Sequence, residues 1–170
     1  MGQPEEMGTG HPYAERYRQY LPRILSYVRL KVDGEDLAQD LTAEVFERAV
    51  AKQHTLRHED AFGAWLFRIA RNTVAGYYRK RRPTLPLDAI PDPHVPDAGP
   101  EEALMRQEEL ARLRTALDTL SDREQEIIRL KFGGELGNKE IARIMRLRAG
   151  HIAVILYRAL RKLRARMEEE

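Results

Sequence analysis

The sequence predicts an all-α protein: two small helical domains joined by a proline-rich linker, the second containing a helix-turn-helix. Three observations predict this class. Apolar residues recur at three- and four-residue spacing through most of the chain, the period of a helix with one buried face. No segment shows the two-residue alternation of a half-buried strand. Residues 83–100, PTLPLDAIPDPHVPDAGP, interrupt the helical pattern with six of the nine prolines and no Lys or Arg. A chain of 170 residues, 42% hydrophobic and 33% charged, has room for one domain or two small ones with a modest core.

Residues 1–10 carry no periodicity and are expected to be disordered. From about Pro12 to Leu30 the residues Tyr13, Tyr17, Tyr20, Leu21, Ile24, Tyr27 and Val28 fall at helical spacing. VDGED breaks that helix, and a second is predicted from Glu35 to about Lys52 with Leu37, Leu41, Val45 and Phe46 inward. QHTLRHED reads as a loop, with Asp60 or Glu59 as N-cap of a third helix that must end before Pro83. The first domain is thus 11–82 and the linker 83–100, extended where proline is dense. The second domain, 101–170, opens on a helix to about Leu120. SDRE then forms a capping box, Ser121 accepting from the Glu124 amide while the Glu124 carboxylate reaches back. That helix runs to about Phe132 and ends at GGELGN; helices over Asn138–Met145 and about Gly150–Met167 follow, joined by a short turn.

Charge is partitioned along the chain, although the net value is only +2. Residues 33–60 carry eight acids against Arg48, Lys52 and Arg57, whereas 139–166 carry nine basic residues against Glu140 alone. Such a division points to polyanion contact on one side and a separate protein contact on another. The third helix, FGAWLFRIARNTVAGYYRKRRP, sharpens this. At 100° per residue, Phe62, Trp65, Leu66, Ile69, Thr73 and Tyr77 share one side, and Arg68, Arg71, Asn72, Ala75, Arg79 and Arg82 the other, with Tyr78 at its edge. Cations hold phosphates; rings and amides bind unstacked bases. Trp65 and Tyr77 read as core; Tyr78 reads either as a base contact or as surface.

The last two helices have helix-turn-helix proportions. Ala142 permits close approach, and Ile141, Ile144, Leu147, Ile152 and Leu156 fill the wedge. The exposed arc of the second of them holds His151, Val154, Arg158, Arg161 and Lys162, a cationic face suited to the major groove. Val154 either meets a thymine methyl or merely fills space.

Several classes are excluded. There is no cysteine, hence no disulfide or thiolate metal site. No apolar run reaches membrane-spanning length and the start resembles no signal peptide, so the protein is expected in the cytoplasm, without membrane insertion. His54 and His58 lack a third metal ligand at matching spacing, and no phosphate-cradling glycine loop or nucleophile elbow occurs. No catalytic site, metal or cofactor is expected.

Three stretches in this order, DGEDLAQDLTAEVFERA, FGAWLFRIARNTVAGYYRKRRP and LDTLSDREQEIIRLKFGGELGNKEIARIMRL, resemble the bacterial RNA polymerase sigma factors of the sigma-70 family. The two-domain, short-linker layout is similar to the extracytoplasmic-function (ECF) group, over roughly 13–82 and 101–166. The resemblance implies a transcription initiation factor that binds core RNA polymerase, directs it to promoters and assists their melting. It places Glu35, Asp36, Gln39, Asp40 and Glu44 against the clamp helices of the largest polymerase subunit. It places Arg68, Arg71, Asn72, Tyr78, Arg79 and Arg82 on the −10 element and its flipped bases. The linker would thread toward the polymerase active-site cleft. The second domain would rest on the flap of the second-largest subunit and read the −35 element through Lys139, Arg148, His151, Val154, Arg158, Arg161 and Lys162. An anti-sigma factor is a further expected partner. Two departures stand out: Arg146 and Arg148 occupy turn positions where glycine and serine are frequent, and Ala153, Val154 and Ile155 replace a frequent polar trio. A stand-alone helix-turn-helix regulator and a metal nuclease using Asp36 and Asp40 are the other readings; the first would not explain the acidic helix or the linker, and neither would co-elute with core polymerase.

Overall fold

The computed structural model describes residues 12–81 and 99–168. The expectations placed on residues 1–10, on Arg82 and on nearly all of the linker lie outside the described residues. Among the described residues there is no strand, and seven α-helices follow in chain order.

In the first domain, α1 (Pro12–Arg29), α2 (Glu35–Ala51) and α3 (Phe62–Lys80) pack in pairs. The helical spacing of apolar residues is what buries them: Ile24, Tyr27 and Val28 from α1, Leu41, Val45 and Ala49 from α2, and Leu66, Ile69 and Val74 from α3. Edge-on ring pairs, Tyr17–Phe46 at 5.5 Å and Tyr20–Phe62 at 5.2 Å, join the helices at one end. Before α2 the chain needs φ +100° at Gly34, a conformation side chains rarely adopt. Glu35 and Asp36 follow in the first turn, where the helix dipole favours acids.

The start of α3 differs from expectation. Neither Asp60 nor Glu59 caps it. Residues Glu59–Ala61 form a 3₁₀ turn whose backbone leads directly into the helix, and the Ala61 amide donates to the His58 carbonyl at 3.1 Å. A backbone turn has taken over the orphan amides, which frees Glu59 to accept from Arg16 at 2.9 Å.

The second domain holds α4 (Pro100–Leu117), α5 (Asp122–Ile128), α6 (Asn138–Met145) and α7 (Ala149–Glu168). The capping box opening α5 forms as read: the Glu124 amide donates to Ser121 Oγ at 3.3 Å and the Ser121 amide to the Glu124 carboxylate at 3.0 Å. Past Ile128 the helix widens into a single π turn, Arg129–Gly133. Between α6 and α7, Arg146 sits in the left-handed region at φ 56°, ψ 44°, the place where glycine is cheapest. The wedge fills as predicted. Ile141, Ala142, Ile144, Ile152 and Leu156 are buried, Leu147 is half-buried, and Ile155 leans inward.

The domains also pack on each other, so that one contiguous apolar core runs through both. α1 meets the π turn, and α3 meets α6. This corrects the one-sided reading of α3: Gly63, Phe67, Ala70 and Val74 form a second buried stripe beside the expected one. The reason is tertiary. Phe67 lies edge-on to Tyr27 at 5.5 Å, and its ring is so close to Gly134 that an added Cβ would stand 2.7 Å away.

Candidate nucleic-acid interface

α3 carries the cationic surface, because its 3.6-residue period sets Arg68, Asn72, Ala75 and Arg79 on one exposed line. The predicted cluster nevertheless divides. Arg68, Asn72 and Arg79 face outward. Arg71 is half-buried, its Nε 3.6 Å from a carboxylate oxygen of Glu126 in α5. Tyr78 turns toward the end of α1: half its surface is exposed, its hydroxyl donates to the Lys31 carbonyl at 2.8 Å, and its ring meets Tyr77 edge-on at 5.3 Å. Burial, reinforced by the Asp33 charge, pushes the Tyr78 phenol above its ordinary range. Trp65 is part of the core margin, its indole N–H donating to Thr55 Oγ at 2.9 Å. Arg81 stacks over Tyr77 at 4.8 Å, adding a cation beside the pair of rings.

The acidic helix presents fewer free carboxylates than its composition suggests. Glu35 is half-buried and accepts from both Arg29 and Gln39. The Arg29 hydrogen bond holds its carboxyl below the usual range. Glu44 pairs with Arg48 one turn on. Asp36, Gln39 and Asp40 are exposed. Glu47 lies on the same exposed face, at i+7 from Asp40 and i+11 from Asp36; sequence reasoning passed it over, although the spacing would have found it.

On α7, His151, Val154, Arg158 and Arg161 are exposed as expected, Val154 at 44%. Arg148 and Lys139 are exposed beside them on the turn and on α6. Lys162 is exposed too and is ion-paired: its Nζ lies 2.7 Å from the Glu124 carboxylate, and this contact holds the Glu124 carboxyl below the usual range. Tyr157, 64% exposed with Arg161 over its ring at 5.9 Å, adds an aromatic surface one turn from Val154 that the sequence reading missed.

Another missed group lies where the domains meet. Glu126 is buried and accepts from the Tyr27 hydroxyl at 2.5 Å and from Lys31 Nζ at 2.7 Å, while Lys31 Nζ also donates to the Tyr27 oxygen at 3.0 Å. Burial first, then the Glu126 charge, raises the Tyr27 phenol well above its ordinary range; burial lowers Lys31. The one sequence signal was position: Glu126 stands one turn before Leu130 on the buried arc. Its partners, 99 and 95 residues away, left none.

Among the described residues no helix is long and apolar enough to cross a membrane, and no three His, Asp or Glu side chains gather as metal ligands would. His54 and His58 are both exposed.

Comparison with known proteins gives concordant matches. The family model for Sigma-70 region 2 matches residues 16–84, and that for Sigma-70, region 4 matches residues 116–165. The chain is 32% identical over 161 residues to the ECF RNA polymerase sigma factor BldN of Streptomyces coelicolor, covering 93% of this chain and 61% of that relative's length. It is 30% identical over 162 residues to the ECF RNA polymerase sigma factor RpoE of Cereibacter sphaeroides, covering 91% of this chain and 86% of the relative. In fold it is similar to the Bartonella quintana sigma factor RpoE, solved in complex with the anti-sigma factor NepR. The TM-score is 0.69 at 24% identity, over 92% of this chain and 96% of that one.

Proposed function

This chain belongs to the sigma-70 family of RNA polymerase sigma factors, in its extracytoplasmic-function group, and from that premise we propose that it directs core RNA polymerase to promoters and starts transcription there without a catalytic centre of its own. The observation that carries the assignment of surfaces is the division of charge between helices. α2 offers Asp36, Asp40 and Glu47 to solvent, α3 offers Arg68 and Arg79, and the second helix of a helix-turn-helix offers Arg158 and Arg161.

The acidic face of α2, with Gln39, suits a basic helical surface, and in this reading it docks on the clamp helices of the largest polymerase subunit. Opposite charges there steer docking and fix register. Arg68, Arg71 and Arg79 hold phosphates of the −10 element, while Asn72 and Tyr78 take bases as the strands part, since a ring stacks on any base and an amide pairs with its edge. α7 enters the major groove by its amino-terminal turns, where His151 and Val154 meet base edges and Arg158 and Arg161 meet phosphates. Arg148 and Lys139 flank them. The linker passes toward the active-site cleft, and the second domain rests on the flap of the second-largest subunit. An anti-sigma protein is the expected regulator, and the cytoplasm at the nucleoid the place of action.

The test is run-off transcription by purified core polymerase with this protein on a genomic promoter library. Promoter-specific transcripts and co-elution with core are expected. A protein that binds promoter DNA but never co-elutes with core is a stand-alone regulator, and the proposal fails.

A further inference from the structure

The turn between α6 and α7 carries more positive charge than its fold requires. Lys139 and Arg143 stand one turn apart on α6, Arg146 and Arg148 follow in the turn itself, and all four are exposed. Like charges at i and i+4 oppose helix formation, and no acid relieves them here. Among the described residues none of the four forms an ion pair. Glu140, the one acid of α6, is committed elsewhere: its carboxylate accepts from the Gly137 amide at 2.9 Å and caps the helix.

Backbone geometry makes a second, independent point. Arg146 sits at φ 56°, ψ 44°, where glycine is unstrained and an L side chain is not. Among the described residues its guanidinium has no partner that would hold it there. A strained residue whose side chain does nothing inside the fold points to work outside it. The third point lies on α7. Paired hydrogen bonds to base edges come mainly from arginine, lysine, asparagine and glutamine, and residues 149–157 contain none of these. Ala153 and Val154 are exposed there with nothing to donate or accept.

We propose that Arg143 and Arg146 join Lys139 and Arg148 in a phosphate clamp at the turn, so that this chain holds the −35 element mainly by its backbone and tolerates wide variation in its sequence. The inference rests on the reading of α6 and α7 as the −35 module. A guanidinium presents a fork of donors that matches a phosphate. Phosphate contacts fix register and add affinity but carry no sequence information. The charge at the turn thus supplies the affinity that the apolar arc of α7 gives up, and Arg146 retains a side chain where glycine would fold more easily.

The clamp is tested on the full chain assembled with core polymerase, using Arg146→Gly and Arg148→Ser singly and together. The probes are a labelled promoter duplex that the run-off assay selects and the same duplex with its −35 segment scrambled. Fluorescence anisotropy between about 50 and 200 mM salt reads affinity and its salt slope. Each variant should bind both probes roughly tenfold more weakly, the worth of one charge-assisted contact, and the slope should fall by about 1 per arginine removed. Arg146→Lys, which keeps the charge, should keep the slope. Arg146→Gly should lose affinity even though it melts higher than wild type, a split that a merely structural role would not give. Wild type should favour the matched probe by no more than about tenfold, the worth of one base pair rather than of a whole element. Unchanged affinity and slope in the double variant overturn the clamp. A loss confined to the matched probe means that the arginines read bases, and a preference well above tenfold in wild type means that the −35 sequence is read; either overturns the backbone reading. Loss of co-elution with core by the double variant overturns it too, since the turn would then hold protein. Arg158→Ala with Arg161→Ala separates the two levels: if this pair weakens binding while the turn variants do not, the clamp falls and the assignment of α7 to DNA stands.

Discussion

Replacing Tyr27 by Phe removes a single oxygen from the most buried polar contact between the domains. The ring is fully buried and remains edge-on to Phe67 at 5.5 Å, so packing is conserved. What disappears is the hydroxyl that donates to Glu126 at 2.5 Å and accepts from Lys31 at 3.0 Å. A hydrogen bond to a charged group contributes about 1.5–3 kcal/mol. Glu126 is too buried for solvent to replace the bond freely, but its 2.7 Å contact with Lys31 survives. The middle of the range is therefore expected, a loss of about 2 kcal/mol. In urea denaturation followed by far-ultraviolet circular dichroism, this lowers the midpoint by roughly 1 M at unchanged slope. The pH dependence gives an independent check. The folded state holds the Tyr27 proton past the point, about pH 10, at which the unfolded chain releases it. The stabilisation is complete below that pH and is lost as pH rises through the folded value. The gap between wild type and variant should narrow above about pH 10. Lys31, whose shift has the opposite sign, is present in both proteins. A loss below about 0.5 kcal/mol, within the range of ordinary surface changes, or a gap independent of alkaline pH, would refute the reasoning.

Arg146→Gly should stabilise the protein, because the residue sits at φ 56° where a Cβ costs about 1–2 kcal/mol; after the extra chain entropy of glycine, a melting-temperature rise of about 2–4 °C is expected by calorimetry. Asp36→Lys with Asp40→Lys should cost about 2–5 kcal/mol in binding to core polymerase if those contacts are desolvated, with helicity intact since both sites are exposed; equal co-elution of variant and wild type would remove α2 as the docking surface. Asn72→Ala with Tyr78→Ala should lower permanganate reactivity of promoter thymines, losing about 1–3 kcal/mol for a stack, and a pre-melted bubble template should rescue transcription. Tyr78→Phe, which loses only the bond to the Lys31 carbonyl, should leave melting unchanged. Glu124→Gln should flatten the acid limb of the stability curve. The Glu124 carboxyl titrates below its usual value in the fold, so its contribution is complete above about pH 4.3 and fades as pH falls through the folded value.

Much of this protein was legible because its signals are local. The capping box of Ser121 and Glu124 spans four residues, the wedge of Ile141, Ile144 and Ile152 spans a helix and a turn, and the line Arg68–Asn72–Arg79 follows from 3.6 residues per turn. Each is written within one or two turns of chain, where periodicity fixes which side chains share a face. The inward lean of Ile155 and the outward Val154 came from the same rule. Glu59 was misjudged for a nearby reason: a capping residue and a salt-bridge partner look alike until Arg16, 43 residues away, is placed beside it. The second buried stripe of α3, the engagement of Arg71, the ion pair of Lys162 with Glu124 and the burial of Glu126 were decided only by tertiary structure. Glu126 meets Tyr27 across 99 residues and Arg68 meets Arg143 across 75. A periodic pattern states that a face will be covered or charged, but it carries no record of which distant surface arrives there. That is set by the fit of whole helices, here by Gly133 lying against the backbone of Tyr27.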